Sequence, residues 1–328
     1  MYREDTNRRA VRSRCGRGEQ LLLGARAKRQ CRYSSEADGA QEDHGPEERP
    51  APRLNCCWGR PPRSVMKRSL PVADRIDYDR MAPSYDCGRA LSPEAADEWR
   101  LALNDYLSPS EGPLLDLGSG TGIWSVLLAD WFDIDVAAIE PSAGMRRRAA
   151  HHRRHPRVLY VGGEAERIPI KDRSCGHAWL STVIYHIPDL TSCALELRRV
   201  VKPGGRVFIR NAFSGRTGDI MWTRFFPSAH RLADATLPTV EATVQAFWVA
   251  GFERESLTGV AEISAPNLGA YYEKVRTRAD SFLTQIDDED FERGLASLDI
   301  AAAEEPPAPV VSRLDLLILH DRSALEEM

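Results

Sequence analysis

Gly118, Gly120 and Gly122 alternate with Ser119 and Thr121 directly after the apolar run Leu114-Leu115-Asp116-Leu117. Glycine reaches positive φ and lets a ligand lie against bare backbone. The loop is therefore a candidate for holding a nucleotide-like group. Its spacing excludes two common versions. A nicotinamide fingerprint needs G-x-G-x-x-G, and counting on from Gly118 and Gly120 the third position is Ile123. A P-loop needs Lys and then Ser or Thr after its last glycine, whereas Ile123 and Trp124 follow Gly122. Further on, Glu140 ends a second apolar run. An acid there can accept hydrogen bonds from both hydroxyls of an adenosine ribose; the other reading is an acid at the start of a helix capped by Ser142. A third chemistry-bearing position is His186. It follows another short apolar run and could serve as a general base, or as a structural residue of the turn His186-Ile187-Pro188-Asp189.

Alternating helices and strands are needed to bring these residues together. Ser92 and Pro93 read as a cap and first-turn proline opening a helix to about Leu107. Pro113–Leu117 suits a strand buried on both faces. Ile123, Val126, Leu127 and Trp131 follow at helical spacing. Ile134–Ile139 reads as a second strand, and Ser142 caps a helix to about His151. Val158–Val161 and His177–Leu180 read as the third and fourth strands, then a helical stripe carries Leu190, Cys193, Ala194 and Leu197. Lys202-Pro203-Gly204-Gly205 is a turn into a fifth strand, Arg206–Arg210. Val240, Val244, Phe247 and Trp248 form a stripe that Gly251 should terminate. The last strand-like runs are Phe252–Ile263 and Val310–His320. Such alternation predicts a parallel sheet covered on both faces, with ligands beyond the carboxyl ends of its strands.

The pattern Asp116-x-Gly118-x-Gly120-x-Gly122 resembles motif I of the class I S-adenosylmethionine-dependent methyltransferases. Gly163-Glu164-Ala165-Glu166-Arg167-Ile168-Pro169 is similar to the same family's G-D-A-E-x-L-P segment, with Glu164 in place of the usual Asp. Leu180–Asp189 looks like the family's fourth-strand end before H-x-P-D, and Val201-Lys202-Pro203-Gly204-Gly205 like its L-K-P-G-G turn. Tyr78-Asp79-Arg80-Met81-Ala82-Pro83-Ser84-Tyr85-Asp86 resembles the entry sequence of the ubiquinone/menaquinone-biosynthesis (type 11) methyltransferases. One departure is Cys175-Gly176, where the family has Phe-Asp; it reads as a local surface change.

The resemblance implies a Rossmann-like, seven-stranded, mostly parallel sheet with helices on both faces, an antiparallel last strand and a helical lid insertion. It implies S-adenosyl-L-methionine as the cofactor. By the same resemblance the donor contacts Tyr85, Asp116, Gly118, Ser119, Gly120, Gly122, Glu140, Met145, Glu164, Ala165 and Ser181. Glu164 would meet the adenine amino group, the Ala165 N–H a ring nitrogen, and Met145 the adenine face. Tyr78 and Tyr85 either fold over the methionine or acceptor or pack an N-terminal helix.

Two segments exceed a minimal fold. Residues 211–238 carry Trp222, Phe225, Phe226 and His230, and residues 265–309 carry Tyr271, Tyr272, Phe282, Phe291, Leu295 and Leu298. Both leave the carboxyl edge and are expected to form a lid over the acceptor, and their aromatic content suggests a flat or apolar small molecule.

Residues 1–65 read as a disordered basic extension, because their few apolar residues cannot offset the entropy of ordering; Met66 is a candidate translation start. The methyltransferase domain is expected to span 66–328. The extension holds 14 Lys/Arg and 9 Asp/Glu in a chain whose formal net charge is −4, so the remainder is acidic. That balance argues against a nucleic-acid partner, as does the lack of aromatic interleaving around Arg146–Arg148 and His151–His155. No N-P-P-Y or D-P-P-Y motif follows the fourth strand. The seven cysteines include no C-x-x-C pair, so neither a metal nor a disulfide framework is expected. With no apolar run of membrane length, the expected location is cytoplasmic. The expected function is methyl transfer to a small-molecule acceptor. The alternatives are a nucleic-acid or protein methyltransferase, and a non-methylating cofactor-binding cyclase or regulator.

Overall fold

The computed structural model of the chain describes residues 91–322. The expectations for residues 1–65, for Met66, and for Tyr78 to Asp86, Tyr85 included, lie outside that range. Within it the elements alternate as the hydrophobic pattern implies. They run α1 (Pro93–Leu103), β1 (Leu114–Leu117), α2 (Ile123–Phe132), β2 (Val136–Glu140), α3 (Ala143–His152), β3 (Val158–Gly162), β4 (His177–Ser181), α4 (Leu190–Val200) and β5 (Arg206–Asn211). They continue with α5 (Pro227–Thr236), α6 (Val240–Val249), β6 (Phe252–Ala265), α7 (Leu268–Val275), α8 (Asp288–Glu304) and β7 (Val310–Asp321).

The caps act where side chains could supply them. Ser92 and Ser142 accept from the amides of Ala95 and Met145, both at 3.1 Å, which satisfies donors a helix start leaves open. Gly251 follows α6 at φ 96°, a left-handed turn that ends the helix. The first helix stops at Leu103, short of the expected Leu107, and a 3-10 turn over Pro109–Glu111 leads into β1.

The seven strands lie in the order β3-β2-β1-β4-β5-β7-β6. Pairing from β3 through to β5 is parallel, and β7 runs antiparallel to both β5 and β6. The fold is therefore the expected Rossmann-like α/β sheet with an antiparallel last strand. Successive residues of β1 feed opposite faces, as strand geometry requires. Leu115 and Leu117 pack with Cys193, Ala194 and Leu197 of α4 and Phe247 of α6. Leu114 packs with Trp99 and Leu103 of α1 and Leu128 of α2. Strand order reverses at β1, whose neighbours are β2 and β4, so a crevice opens beyond its carboxyl end.

A third apolar cluster lies outside these two layers. Trp222, Phe226, Tyr271, Phe282, Phe291 and Leu298 are buried together. These residues come from 211–238 and 265–309, so the two insertions share one core.

The departure at Cys175-Gly176 is corrected by the structure. Both residues are buried, and a Cβ on Gly176 would lie 2.7 Å from the Glu111 carbonyl oxygen. A side chain does not fit there, so the change belongs to tight backbone packing at the base of β4, not to the surface.

Candidate active site

The β1–α2 loop is built from backbone geometry that only glycine adopts cheaply. Gly118, Gly120 and Gly122 have φ of 74°, 56° and 81°. A Cβ at Gly118 would come within 2.4 Å of Val183 Cγ2, and one at Gly122 within 2.4 Å of the Tyr160 hydroxyl. A Cβ at Gly120 would meet nothing within 4 Å. The outer glycines thus let the loop press against the protein, and the middle one faces open space. The Gly118 and Ser119 amides both donate to the Ile139 carbonyl, at 2.8 and 3.0 Å. This ties the loop to the end of β2.

Glu140, the last residue of β2, is buried at 7% exposure. Its carboxylate accepts from the Gly120 amide at 2.9 Å and from the Ser142 amide at 2.8 Å. The side chain thus joins the glycine loop to the start of α3, which is the helix-start reading of this residue. Asp116 is fully enclosed below the loop and accepts from Ser125 Oγ at 2.6 Å. Burial pushes its carboxyl pKa up to about 7, the Ser125 bond works against that shift, and the nearby Glu140 charge adds to it. Tyr160, whose hydroxyl donates to the Arg153 carbonyl at 2.9 Å, is raised by burial and then by the Asp116 charge.

Ser119 is buried and its hydroxyl oxygen has no hydrogen-bond partner among the described residues. Met145 is buried at the start of α3, while Glu164 is exposed and Ala165 half-buried in the turn after β3. A Cβ at Gly163 would strike Pro169 Cδ at 2.5 Å, which accounts for the glycine that opens this turn. Part of the basic run on α3 serves the same site. Arg146 donates to the Glu140 carbonyl at 2.5 Å and Arg153 to the Thr121 carbonyl at 3.1 Å.

Beyond β4 and β5 the two insertions line a half-open cavity of about 160 Å³ that reaches Thr182, Arg210 and Asn211 at the strand ends. Tyr185 stacks on Phe282 with ring centres 5.6 Å apart, and Trp222 approaches Phe282 at 6.2 Å. The Tyr185 and Ser281 hydroxyls are 3.1 Å apart. Tyr185 lines this cavity, whereas His186 is exposed, with its ring 4.0 Å from that of Tyr185. Ser181 accepts from Arg210 Nη1 at 3.2 Å. Thr182 sits at φ 51°, a strained value for a β-branched residue, where the chain leaves β4 towards the cavity.

Sequence reasoning singled out none of Arg210, Asn211, Glu262 and Trp99 as site residues. Two of them, Arg210 and Glu262, are charged and nearly buried at 7% and 9% exposure. A charged residue near the carboxyl end of each of two strand-like runs was the available signal, since buried charges are rare unless paired. Among the described residues no cluster of His, Cys, Asp and Glu could hold a metal ion, and no helix is long and apolar enough to cross a membrane.

Comparison with known proteins agrees with this geometry. Residues 115–209, from β1 to β5, match the family described as "Methyltransferase domain". The chain is 29% identical over 161 residues to the malonyl-[acyl-carrier protein] O-methyltransferase of Nitrosospira multiformis, covering 44% of this chain and 52% of that protein. It is 33% identical over 148 residues to the demethylmenaquinone methyltransferase of Paenarthrobacter aurescens, covering 44% and 56%. The chain thus spans about half the length of these curated relatives. Among solved structures, a protein described as a methyltransferase from an antibiotic biosynthesis pathway of Anabaena variabilis superposes with a TM-score of 0.55 at 20% identity, over 67% of this chain and 96% of that one. That likeness concerns the fold. Residues 115–209 thus resemble a methyltransferase domain, and the relatives they resemble include enzymes named for ubiquinone and menaquinone biosynthesis.

Proposed function

We propose that the chain is an S-adenosylmethionine-dependent methyltransferase that acts on a small-molecule acceptor. The observation that carries this reading is the loop Asp116–Gly122, with three left-handed glycines braced on Glu140 at the point where strand order reverses. The residues fit the donor. Open space lies beside Gly120, the adjacent Ser119 hydroxyl has no partner among the described residues, and the Glu140 carboxylate is bonded to the Gly120 amide; these polar groups suit an adenosine. The cofactor supplies an activated methyl group on a sulfonium.

The rest is the work of this chain's side chains. Glu140 takes the ribose hydroxyls, and the Ser119 hydroxyl and loop amides hold polar groups of the donor. Met145, Glu164 and Ala165 surround the adenine, and Asp116 offers a negative charge beneath the loop. Ser181 completes the donor's surroundings, and the family resemblance adds Tyr85, which lies outside the described residues. Residues 211–238 and 265–309 form the lid, exclude water and orient an aromatic or apolar acceptor in the cavity between them. Positioning of two reactants alone supplies effective molarities of about 10^5–10^8 M. His186, one residue from the cavity wall at Tyr185, is the base for an oxygen acceptor.

The test is isothermal titration of the purified chain with S-adenosylmethionine, followed by transfer of a labelled methyl group to a panel of aromatic metabolites. Binding and transfer support the reading. Binding without transfer to any acceptor favours a non-methylating role, and no binding removes the reading altogether.

A further inference from the structure

The acceptor cavity carries a polar recognition point at its β6 side. Three hydrogen bonds converge on one oxygen of Glu262. Trp99 Nε1 donates to Oε1 at 2.7 Å, Arg210 Nε at 3.1 Å, and Arg210 Nη2 joins them. Oε2 accepts none among the described residues, and Glu262 lines the cavity. The side chain has little freedom to turn. Its partner guanidinium lies 5.0 Å over the rings of both Trp99 and Trp124 and also holds Ser181.

Asn211, at the end of β5, gives a second and independent sign. It also lines the cavity and is fully buried. Its Nδ2 donates to the Ala212 carbonyl, which sets the orientation of the amide, and its Oδ1 has no hydrogen-bond partner. Buried polar atoms of folded proteins are nearly always paired, and an exception calls for a ligand or a role.

We propose that Glu262 and Asn211 are specificity-determining residues that select a neutral ring bearing hydroxyl groups as the acceptor. This rests on the methyltransferase reading above. Both unpaired atoms only accept hydrogen bonds, so the molecule that completes them must donate. An anionic acceptor would face a carboxylate oxygen and an amide oxygen, and the cations that line the cavity, Arg210 and Lys274, are already bonded to Glu262 and to the Ser264 carbonyl. A cationic one would find the Glu262 charge already matched by Arg210. The walls are the rings of Tyr185, Trp222 and Phe282. The volume of about 160 Å³ suits a single ring, since an engineered cavity of about 150 Å³ in another protein holds benzene.

The test uses the full chain saturated with S-adenosylhomocysteine, with ligand binding read by saturation-transfer NMR. Phenol, catechol and hydroquinone are compared with their methyl ethers and with benzoate. The hydroxylated rings should bind at least tenfold tighter than the ethers and benzoate. Glu262→Gln keeps an oxygen for Trp99 and Arg210 but turns a donor towards the cavity. It should weaken the hydroxylated rings tenfold or more, with S-adenosylhomocysteine affinity held within twofold. Asn211→Ala should do the same, and it decides the matter if Glu262→Gln fails to fold. Equal binding of ethers or benzoate, no binding of any ring, or hydroxylated-ring affinity unchanged in the variants overturns the proposal while S-adenosylhomocysteine still binds. Loss of S-adenosylhomocysteine binding by the unaltered chain overturns the donor site, and this proposal with it.

Discussion

Substituting alanine at each glycine of the β1–α2 loop separates two effects that the loop combines. All three positions are left-handed, and forcing an L side chain into that region costs about 1–2 kcal/mol. Gly118→Ala adds a Cβ 2.4 Å from Val183 Cγ2 and 3.0 Å from Val183 Cβ. Val183 is β-branched and stiff, so overpacking should add about 1–3 kcal/mol. Gly122→Ala meets the Tyr160 ring, Cε1 at 2.8 Å, and Tyr160 is anchored by its bond to the Arg153 carbonyl; a similar cost follows. Gly120→Ala meets nothing within 4 Å and should lose only the strain. The order reverses for donor binding. The space beside Gly120 is the recess proposed for the donor, so Gly120→Ala should raise the dissociation constant at least tenfold, or about 1.4 kcal/mol. Urea unfolding of the free chain measures the first effect and titration calorimetry the second. Adding Val183→Ala to Gly118→Ala should recover the steric part but not the strain. Gly120→Ala being the most destabilised of the three, or binding the donor like the unaltered chain, would refute the reasoning.

Other outcomes follow from the same geometry. Asp116 has its folded-state pKa raised from 3.8 to about 7, so its contribution to stability is present below the lower value and is lost as pH rises through the upper one. Asp116→Asn should therefore gain thermal stability relative to the unaltered chain between pH 5 and 8; parallel melting curves across that range would contradict this. Binding of a cationic donor near a charged Asp116 draws its pKa down, so calorimetry at pH 6.5 in buffers of differing ionisation enthalpy should show proton release on binding. Glu140→Gln leaves the Gly120 or Ser142 amide opposite an NH2 group, and it should weaken S-adenosylmethionine binding by about 1–3 kcal/mol; unchanged affinity counts against the ribose role. Phe282→Ala opens the shared core of the insertions, with a stability loss of about 3–5 kcal/mol, and should impair acceptor turnover more than donor affinity. His186→Ala should lower the rate with an oxygen acceptor about 10^2–10^4-fold, and a smaller loss leaves His186 as packing for Tyr185.

The β1–α2 loop, proposed for the donor, was legible because its residues are close in sequence and their types encode backbone. Gly118, Gly120 and Gly122 announce a left-handed loop, Ser142 announces a cap, and Leu114-Leu115-Asp116-Leu117 announces a strand buried on both faces. The cavity beyond β4 and β5 was legible only as two aromatic segments. Trp99 and Glu262 are 163 residues apart in sequence, and Arg210 and Glu262 are 52 apart. No local pattern reports a pair formed across β7. The expectation of a local surface change at Cys175-Gly176 failed for a related reason. The carbonyl that excludes a side chain there belongs to Glu111, in the turn before β1. The same holds for Thr182, whose left-handed backbone no residue-type rule predicts.

The central claim is that the Asp116–Gly122 loop and Glu140 bind S-adenosylmethionine. Titration calorimetry of the full chain with S-adenosylmethionine, alongside NAD and ATP as competing adenosine ligands, tests it most directly. The expected result is one saturable site for S-adenosylmethionine, at least tenfold weaker in Glu140→Gln, and no comparable heat from NAD or ATP. Tighter binding of NAD or ATP, or S-adenosylmethionine binding that survives both Gly120→Ala and Glu140→Gln unchanged, would contradict it.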